Sequence, residues 1–319
     1  MKKALITGGA GFIGSHLVDR LVSDGWHVRV LDNFSSGRIE NVAHHLNNRR
    51  VEVLYGDLKN PQDVNKAAEE VEVVFHYAAN PEVRVSTTNP EIHFSENVVA
   101  TFNLLETIRR NDVEKLVFAS SSSVYGEPEA IPVGEDAPMR PVSVYGASKA
   151  ACENLIHAYS KLYGIKALVL RYANVIGPRL RHGVVYDFVI KLRRNTKELE
   201  ILGDGTQVRS YVYVYDAIEA TMVAYDNSKE LFNVYNIASE DWVTVNEVAE
   251  AIAYAMGLRG VRYTYKPVLH GVGWLGDVKR IALDVRKLKE LGWRPQMRSR
   301  EAVAKAASDI LHELKSYER

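Results

Sequence analysis

The sequence lacks the features that mark secreted, membrane and nucleic-acid-binding proteins. Its 319 residues include one cysteine, Cys152, so neither an intrachain disulfide nor a cysteine-rich metal site is possible. No segment approaches the roughly 20 apolar residues of a membrane-spanning helix, and Thr7-Gly8-Gly9 interrupts the first apolar run before it resembles a signal peptide. The 40 acidic and 40 basic residues cancel, which disfavours nucleic acid or an anionic membrane as a partner. We therefore expect a cytoplasmic protein with no nucleic-acid partner, no membrane partner and no metal.

A glycine-rich turn follows the first predicted strand. Ala4-Leu5-Ile6 is a short apolar run, glycines stand at positions 8, 11 and 14, and an amphipathic segment continues to about Ser23. Between a strand and a helix, such glycines allow a tight turn and bring the backbone close to a pyrophosphate, which the helix N-terminus attracts. An ordinary turn is the alternative. The predicted dinucleotide contacts here are Gly8, Gly11, Phe12, Ile13 and Gly14.

Acidic residues end the next two predicted strands. Asp32 follows the strand at 28–31, 18 residues after Gly14, where a carboxylate accepts both ribose hydroxyls of an adenosine and repels a 2′-phosphate. This placement predicts NAD rather than NADP, although the nearby Arg38 would favour NADP. The alternative role for Asp32 is to cap a helix or turn. Asp57 follows the strand at 51–54 and either binds the adenine amino group or caps the next helix.

Strands and helices continue to alternate along the first half of the chain. We predict strands at 71–75 and 116–118, and a long, broadly apolar helix between Pro90 and Arg110. This order predicts right-handed crossovers and an α/β fold built on a doubly wound parallel sheet, which binds ligands at the carboxyl edge of its strands. Asn97 lies within the long helix and is either a cofactor contact or a satisfied core amide.

The regular alternation ends after Leu170-Arg171-Tyr172, and the segment 174–179 is typical of a loop that leaves the sheet. We predict a cofactor-binding domain over 1–175, with returning segments near 208–240. A smaller, mixed substrate domain over 176–319 is interleaved with it. From about Gly183 onward, the predicted elements are helices at 184–195, from Asp216, and at 245–256, 284–291 and 300–315, with strands at 208–214 and 232–237.

Tyr145 and Lys149 form the most informative pair in the sequence. They are four residues apart at the start of a predicted helix, so they share one helix face. A free tyrosine has a pKa near 10, and bringing it to about 7 requires about 4 kcal/mol of preference for the phenolate. A cation about 4 Å away in a partly shielded site supplies that much. We therefore predict that Lys149 tunes Tyr145, which transfers the proton. By itself so short a motif often recurs by chance, with Tyr145 in a core and Lys149 in solvent.

These residues together resemble the extended short-chain dehydrogenase/reductase family, and within it the nucleotide-sugar epimerases of the UDP-glucose (UDP-galactose) 4-epimerase type. The resemblance extends over nearly the whole chain in the family's order. The matching segments are Thr7 to Gly14, Asp32-Asn33, Gly56-Asp57-Leu58, His76-Tyr77-Ala78-Ala79, Ser120 to Gly126, Tyr145 to Lys149, Arg171 to Asn174 and Arg209 to Asp216.

The resemblance implies an enzyme that retains NAD and inverts C4 of a UDP-hexose through a transient 4-keto sugar. Tyr145 would take the proton of the 4-hydroxyl, and Ser121 would hydrogen-bond the 4-oxygen. A homodimer through the helices at 97–110 and 149–162 is also implied. The remaining implied cofactor contacts are Asn33, Asp57, Leu58, Tyr77, Ala78, Ala79, Asn97, Tyr145 and Lys149, and the implied substrate contacts are Ser121, Tyr145, Asn174, Arg209 and Arg280.

Two positions separate the related activities. Similar sugar dehydratases carry an acidic pair, and the decarboxylases a glutamate, where this chain has Ser122 and Ser123, so elimination and decarboxylation are disfavoured. Trp274 stands near the position of the family's second diphosphate arginine, so either Arg280 replaces that arginine from another direction or the contact is missing. The alternatives are an epimerase of UDP-glucuronate or UDP-N-acetylhexosamine, a nucleotide-sugar reductase, and a non-catalytic NAD-binding sensor.

Overall fold

A parallel sheet of seven strands organises the structure, a computed structural model that describes residues 2–316. The strand order is β11-β6-β5-β4-β1-β2-β3, and the pairs β1–β2, β2–β3, β1–β4 and β4–β5 are parallel. This order confirms the predicted doubly wound α/β fold. The strands are β1 Lys3–Thr7, β2 His27–Asp32, β3 Val51–Tyr55, β4 Val73–His76, β5 Lys115–Ser121, β6 Lys166–Tyr172, β7 Asn174–Ile176, β8 Glu198–Leu202, β9 Val208–Arg209, β10 Tyr211–Tyr213, β11 Phe232–Ile237, β12 Val243–Thr244 and β13 Arg262–Lys266.

The helices follow the predicted alternation. None of those in residues 2–316 combines the length and the apolar character needed to cross a bilayer. The α-helices are α1 Phe12–Ser23, α2 Pro61–Ala68, α3 Glu91–His93, α4 Ala100–Arg110, α5 Val144–Tyr163, α6 Gly183–Arg194, α7 Val214–Asn227, α8 Val245–Ala255, α9 Arg286–Glu290 and α10 Ser299–Ser316. Short 3-10 helices lie at Ile39–Asn41, Ala43–His45, Val83–Thr87, Ser122–Tyr125 and Leu269–Gly271.

The sheet is buried on both faces. Residues along β1, β4 and β5 have almost no exposed surface, as expected for parallel strands covered by helices on both sides. The core of the first unit joins these strands to α2, α4 and α5. Its fully buried members include Leu5, Val74, Leu104, Leu116, Cys152 and Val169. Cys152 is therefore a packed thiol, and burial raises its pKa.

The chain divides into two compact units, and each is built from several stretches. The first contains the residues up to Val124, Ser143–Arg171 and Thr221–Tyr235. The second contains Tyr125–Val142, Tyr172–Ala220 and the residues from Asn236 onward. The predicted assignment of cofactor to 1–175 and of substrate to 176–319 stays a prediction.

Two details of the fold differ from the sequence-based expectation. The sequence predicts a loop at 174–179, but the first three residues of this segment form β7, which pairs in parallel with β10. The strands β8 and β13 have no counterpart among the predicted elements, and they pair in parallel within the second unit. In β8 the buried residues Leu199 and Ile201 alternate with more exposed neighbours, a period-2 signal that five residues make too short to separate from a loop.

The long helix predicted between Pro90 and Arg110 contains an irregularity. A π-helical turn, Phe94–Val99, separates α3 from α4. Such turns contain one residue more than an α-helical turn and rotate the following side chains. This one carries Asn97, which is buried.

Candidate active site

The glycine turn lies directly after β1. Gly8 has a φ of 68°, and a side chain there would meet the backbone of Ala78 at 2.6 Å. A Cβ on Gly14 would stand 2.2 Å from the Gly8 carbonyl oxygen, so only glycine fits this crossing of turn and helix. α1 has a glycine N-cap, no acidic residue in its first turn, and no capping bond from a side chain of the described residues. Its positive end therefore suits an anion.

Asp32 connects this turn to the end of β2. Its carboxylate accepts hydrogen bonds from the backbone N–H groups of Ala10, at 2.9 Å, and Phe34, at 2.8 Å. Only 7% of the residue is exposed. Burial raises the pKa of Asp32, while the hydrogen bonds from Phe34 and Ala10 act in the opposite direction. The carboxylate thus fixes the turn and stands at the carboxyl edge of the sheet, where the sequence predicts the ribose.

Asn33 and Asp57 meet at the ends of neighbouring strands. The Asn33 amide donates to Asp57 Oδ2 at 3.1 Å, and the Lys59 backbone N–H donates to Asp57 Oδ1 at 2.8 Å. Burial would raise the pKa of Asp57, but the hydrogen bonds from Lys59 and Asn33, together with the Lys59 charge, lower it. Asp57 does not cap α2, because Asn60 does so by accepting from the Gln62 N–H. Leu58 is packed in the core.

The segment after β4 lies against the glycine turn. The backbone N–H of Tyr77 donates to the Thr7 carbonyl at 3.0 Å, and the Thr7 hydroxyl bonds His76 Nδ1 at 2.7 Å. Ala78 and Ala79 are half-buried, and the Ala78 backbone comes so close to Gly8 that position 8 has no room for a side chain. The structure thus brings Tyr77, Ala78 and Ala79 to the edge occupied by the turn and Asp32.

Asn97 uses its side chain within the protein. Its Oδ1 accepts from the Asn80 N–H at 2.9 Å, and its Nδ2 donates to Ser148 Oγ at 2.9 Å. Ser148 in turn donates to the Tyr145 carbonyl at 2.7 Å. Of the two roles left open by the sequence, the satisfied core amide describes these contacts, and a cofactor contact stays a prediction. The π-helical turn places this amide against the start of α5.

Tyr145 and Lys149 stand on the first two turns of α5. Ser143 caps the helix by accepting from the Gly146 N–H at 3.1 Å, which fixes where the helix begins. The Lys149 ammonium donates to the Ala119 carbonyl at 2.8 Å and lies 6.0 Å from the centre of the Tyr145 ring. Lys149 is 3% exposed, so it is not the solvated helix residue of the alternative.

The predicted lowering of the Tyr145 pKa is wrong for the chain alone. Burial raises the pKa of Tyr145 to about 12, against a lowering effect of its hydrogen bond with Ser121. Burial also lowers the pKa of Lys149 to about 8. Desolvation of the phenolate therefore outweighs the hydrogen bond from Ser121. At neutral pH the phenol is protonated and the amine is charged.

Ser121 ends β5 beside this pair. It accepts hydrogen bonds from the Ser123 N–H at 3.2 Å and the Ser123 hydroxyl at 3.0 Å, and it bonds Tyr145. Ser120 is buried and donates to Glu153 instead. Of the serines at 120–123, Ser121 is thus the one joined to the tyrosine, which fits its predicted role.

His93 is a neighbour of Tyr145 that no sequence pattern indicates. Its ring meets the Tyr145 ring edge-on at 5.6 Å between centroids. The residue is fully buried, and neither ring nitrogen has a hydrogen-bond partner among residues 2–316. Burial lowers the pKa of His93, against the raising effect of the carboxylates of Glu96 and Glu82. The sequence could not single it out, because its contact with Tyr145 joins two distant segments.

The predicted substrate residues stand on adjoining backbone segments of the second unit. Asn174 donates from its backbone and from its amide to the Ser210 carbonyl, both at 3.2 Å. Arg209 follows on β9, and its Nη2 lies 2.7 Å from Asp277 Oδ1. Arg280 is exposed, and its backbone forms a bridge with Val208. Asn174 and Arg280 thus each lie on a segment that is bonded to a direct chain neighbour of Arg209, namely Ser210 and Val208.

Trp274 occupies the position that departs from the family pattern. Its indole Nε1 is buried and has no partner among the described residues. Because the neighbouring Asp277 holds Arg209, the segment after Trp274 positions the arginine that the resemblance assigns to the diphosphate. An indole N–H donates a hydrogen bond but carries no charge.

Known proteins are similar to this chain over nearly its whole length. The family model described as "NAD dependent epimerase/dehydratase family" matches residues 4–238. A UDP-glucose 4-epimerase of Mycolicibacterium smegmatis is 37% identical over 95% of this chain and 96% of its own length. A solved UDP-galactose 4-epimerase is 49% identical, with a TM-score of 0.87 over 98% of this chain and 99% of that one. The UDP-glucose 4-epimerase of Thermus thermophilus, solved in complex with NAD, is 37% identical, with a TM-score of 0.86 over 97% of this chain and 99% of that one.

Proposed function

The chain belongs to the NAD-dependent epimerase/dehydratase family, and from this premise we propose that it interconverts UDP-glucose and UDP-galactose by inverting C4. The family predicted from the motifs is confirmed. The cofactor is NAD, which a structural relative contains. The protein is thus an NAD-dependent sugar-nucleotide 4-epimerase, an isomerase rather than a net oxidoreductase.

One observation supports this activity above the others. The structure joins Ser121 to Tyr145 and places Lys149 on the same helix, next to the Ala119 carbonyl, while Ser122 and Ser123 supply no carboxylate. Such a site has groups to bind and protonate an oxygen but no acid–base pair for eliminating water. Redox at one carbon without elimination is the chemistry that remains.

The glycine turn and Asp32 fit the cofactor. A Cβ at Gly8 or Gly14 would collide with backbone, so the turn keeps its backbone accessible at the N-terminus of α1. The buried Asp32 carboxylate stands beside it with the charge expected to favour two ribose hydroxyls over a phosphate. In this proposal the pyrophosphate contacts Gly11, Phe12 and Ile13. NAD supplies a hydride acceptor and donor when it is bound.

The chain's own residues handle the proton. Tyr145 acts as the base only after its phenol has lost its own proton. The phenolate then takes the proton of the sugar 4-hydroxyl as the carbon is oxidised, and the phenol returns that proton to the 4-keto oxygen on reduction. Ser121 donates a hydrogen bond to that oxygen as negative charge develops on it. The charged Lys149 favours the phenolate whenever the tyrosine loses its proton. Because one proton leaves and returns, the cycle needs no net proton exchange.

The second unit supplies the proposed nucleotide contacts. Arg209 is held by Asp277 and by backbone carbonyls of Val208 and Lys279, so its position is fixed before a substrate binds. We assign it to the diphosphate, Asn174 to the sugar or phosphate, and exposed Arg280 to the second diphosphate contact. Preorganised cations lower the cost of ordering on binding.

The direct test is incubation with UDP-glucose, UDP-galactose and their N-acetyl and glucuronate counterparts, followed by chromatographic separation of the products. Interconversion of UDP-glucose and UDP-galactose without added NAD supports the proposal. Denaturation of the purified protein should release tightly bound NAD. Stoichiometric consumption of added NADH would instead identify a reductase. Absence of turnover with every sugar would contradict the proposed epimerase activity.

We also propose that the protein is a cytoplasmic homodimer. The surface formed by α4, α5 and the π-helical turn before α4 exposes large apolar side chains, namely Phe94 (60%), Phe102 (45%), Leu162 (72%) and Tyr163 (50%). Contiguous exposed apolar patches mark interaction surfaces. Light scattering at the exit of a sizing column should give twice the 35.8 kDa chain mass, and Leu162→Glu should shift it to the monomer.

A further inference from the structure

Three side chains far along the chain from Tyr145 converge on one point of the first unit. Asp19 lies on α1, and His44 and His45 lie on the 3-10 helix Ala43–His45. Nε2 of His44 is 2.7 Å, and Nε2 of His45 is 2.8 Å, from the same oxygen, Oδ1 of Asp19. All three ligand atoms lie within 4.8 Å of one another. Nothing in the proposed reaction uses them.

The two histidines share one acceptor oxygen. Two adjacent histidines both aim Nε2 at a single carboxylate oxygen, and their rings are only 4.1 Å apart between centroids. Both contacts can be hydrogen bonds only if each imidazole carries its proton on Nε2. Two imidazole nitrogens and one carboxylate oxygen are also the donor set that binds first-row divalent metals.

We propose that Asp19, His44 and His45 bind a divalent metal ion of the zinc type. Ligand–zinc bonds of about 2.0–2.2 Å place tetrahedral ligand atoms about 3.3 Å apart. The observed nitrogen–oxygen separations of 2.7 and 2.8 Å need to widen by only about half an ångström, which small changes in side-chain torsion angles provide. Imidazole donors favour zinc, nickel, cobalt or copper over magnesium and calcium.

The burial of the three side chains fits a site that is open on one side. His45 is 13% exposed, Asp19 31% and His44 49%. A metal can therefore enter from solvent and complete its coordination with water. No metal motif is visible in the sequence because Asp19 and His44 are 25 residues apart, too far for spacing to indicate a shared ligand set.

The metal would tie two segments that border the glycine turn. The Arg38 N–H and the Asn41 amide both donate to the Ala10 carbonyl, at 2.9 and 2.8 Å, so the chain leading to His44 is already anchored there. A metal ion coordinated by both histidines and by Asp19 would cross-link this segment to α1. The proposed site is structural, because it joins α1 to the 3-10 helix Ala43–His45 and its ligands take no part in the proposed proton transfer.

Equilibrium dialysis of the untagged full-length protein against zinc chloride, followed by metal analysis, tests the site. We expect a single saturable zinc ion per chain and a melting temperature that rises with zinc concentration, because the ion binds the folded state. Asp19→Asn and His45→Gln should each weaken zinc binding by at least about tenfold, since each removes one of three protein ligands. Circular dichroism establishes that both variants are folded.

The matched control is His312→Gln, which replaces a histidine on α10, remote in sequence from the three ligands. It should bind zinc like the wild type. Cobalt added in place of zinc should give the visible absorption bands of four-coordinate cobalt in the wild type and not in Asp19→Asn. Absence of saturable zinc binding, or equal binding by the wild type and both ligand variants, would overturn the proposal.

Discussion

Glu153 on α5 and Arg171 on β6 form an ion pair that is almost completely removed from solvent. Arg171 Nη2 lies 2.7 Å from Glu153 Oε2, and the arginine and glutamate side chains are 5% and 3% exposed, respectively. Arg171 Nε adds contacts of 3.1 Å to both carboxylate oxygens, and the Ser120 hydroxyl also donates to Glu153. Because Glu153 follows Lys149 by one helical turn, this pair fixes the part of α5 that carries the ammonium.

Breaking the pair by one substitution should be costly. Glu153→Gln leaves a buried guanidinium without its counter-charge, so we expect a loss of about 3–5 kcal/mol in the free energy of unfolding, measured by urea denaturation. The double variant Glu153→Gln with Arg171→Met should lose less than Arg171→Met and Glu153→Gln summed, because the second change removes the orphaned charge. Disrupting the exposed pair Arg20–Asp24 by Arg20→Ala serves as control, at below about 1 kcal/mol. Additive losses would contradict the coupling.

Tyr145→Phe should abolish turnover and leave NAD bound. Loss of the proton-transferring hydroxyl is expected to reduce kcat by about 10²–10⁴-fold, while the glycine turn and Asp32 are unchanged. The matched control is Tyr159→Phe on the same helix, which removes a hydroxyl that donates to Glu106 at 2.8 Å. Single-turnover assays with NAD quantified after denaturation measure both quantities. Wild-type turnover in Tyr145→Phe would remove it from the mechanism.

The buried Lys149 amine should make stability rise with pH in a defined window. Its pKa is about 8 in the folded chain and about 10.4 when unfolded. Between these values the unfolded state binds more protons, so the free energy of unfolding increases as pH rises from about 8 to about 10.4. The destabilisation, about 3 kcal/mol from this difference, is fully present below pH ~8 and is relieved above the window.

Comparison with Lys149→Met isolates that contribution. Methionine has no proton to lose, so the wild type should gain stability relative to the variant between about pH 7 and about pH 10. Urea denaturation at both pH values measures the difference, and the titration of other groups cancels between the two proteins. A stability difference that does not change with pH would show that the amine keeps an ordinary pKa.

Asp32→Asn should weaken the preference for NAD over NADP. Removing the negative charge removes repulsion of a 2′-phosphate, and we expect the ratio of the NADP and NAD dissociation constants to fall about tenfold, equivalent to about 1.4 kcal/mol. The substitution also weakens the hydrogen bonds from Ala10 and Phe34, but the ratio cancels a general loosening of the turn. Asp24→Asn, at the exposed end of α1, is the control. An unchanged ratio would place the ribose elsewhere.

Gly14→Ala should selectively impair cofactor binding. The added methyl would stand 2.2 Å from the Gly8 carbonyl oxygen, so the turn must move away from the N-terminus of α1. We expect NAD affinity to fall by at least about tenfold, because the backbone can no longer approach the pyrophosphate closely. Gly134→Ala adds a methyl in open space and should bind NAD normally. Isothermal titration of both variants decides the outcome.

The features of this protein that can be predicted from the sequence are those formed by residues close together in the chain. The glycine turn, Asp32 and the helix of Tyr145 and Lys149 each occupy a few neighbouring residues, and alternating strands and helices imply the sheet. The edge-on contact of His93 with Tyr145, the Glu153–Arg171 pair and the meeting of Asp19 with two histidines join distant positions. Local hydrophobic periodicity carries no information about contacts between residues that are distant in sequence.

The electrostatics of the site could not be predicted for a related reason. The spacing of Tyr145 and Lys149 correctly placed them on one helix, but the sign of the tyrosine's pKa shift depends on how deeply the fold buries the phenol. Burial and attraction by a cation act in opposite directions. Only the folded environment decides between them, and in the chain alone burial prevails.

The division of the first unit among three chain stretches limits how this enzyme can be re-engineered. Cutting after residue 175 would discard Thr221–Tyr235, which includes most of β11, and would leave the neighbouring strand β6 as an open sheet edge prone to self-association. A chimera with another epimerase therefore needs junctions at every passage between the units. Transplanting a contiguous half would yield an aggregating fragment instead of a functional cassette.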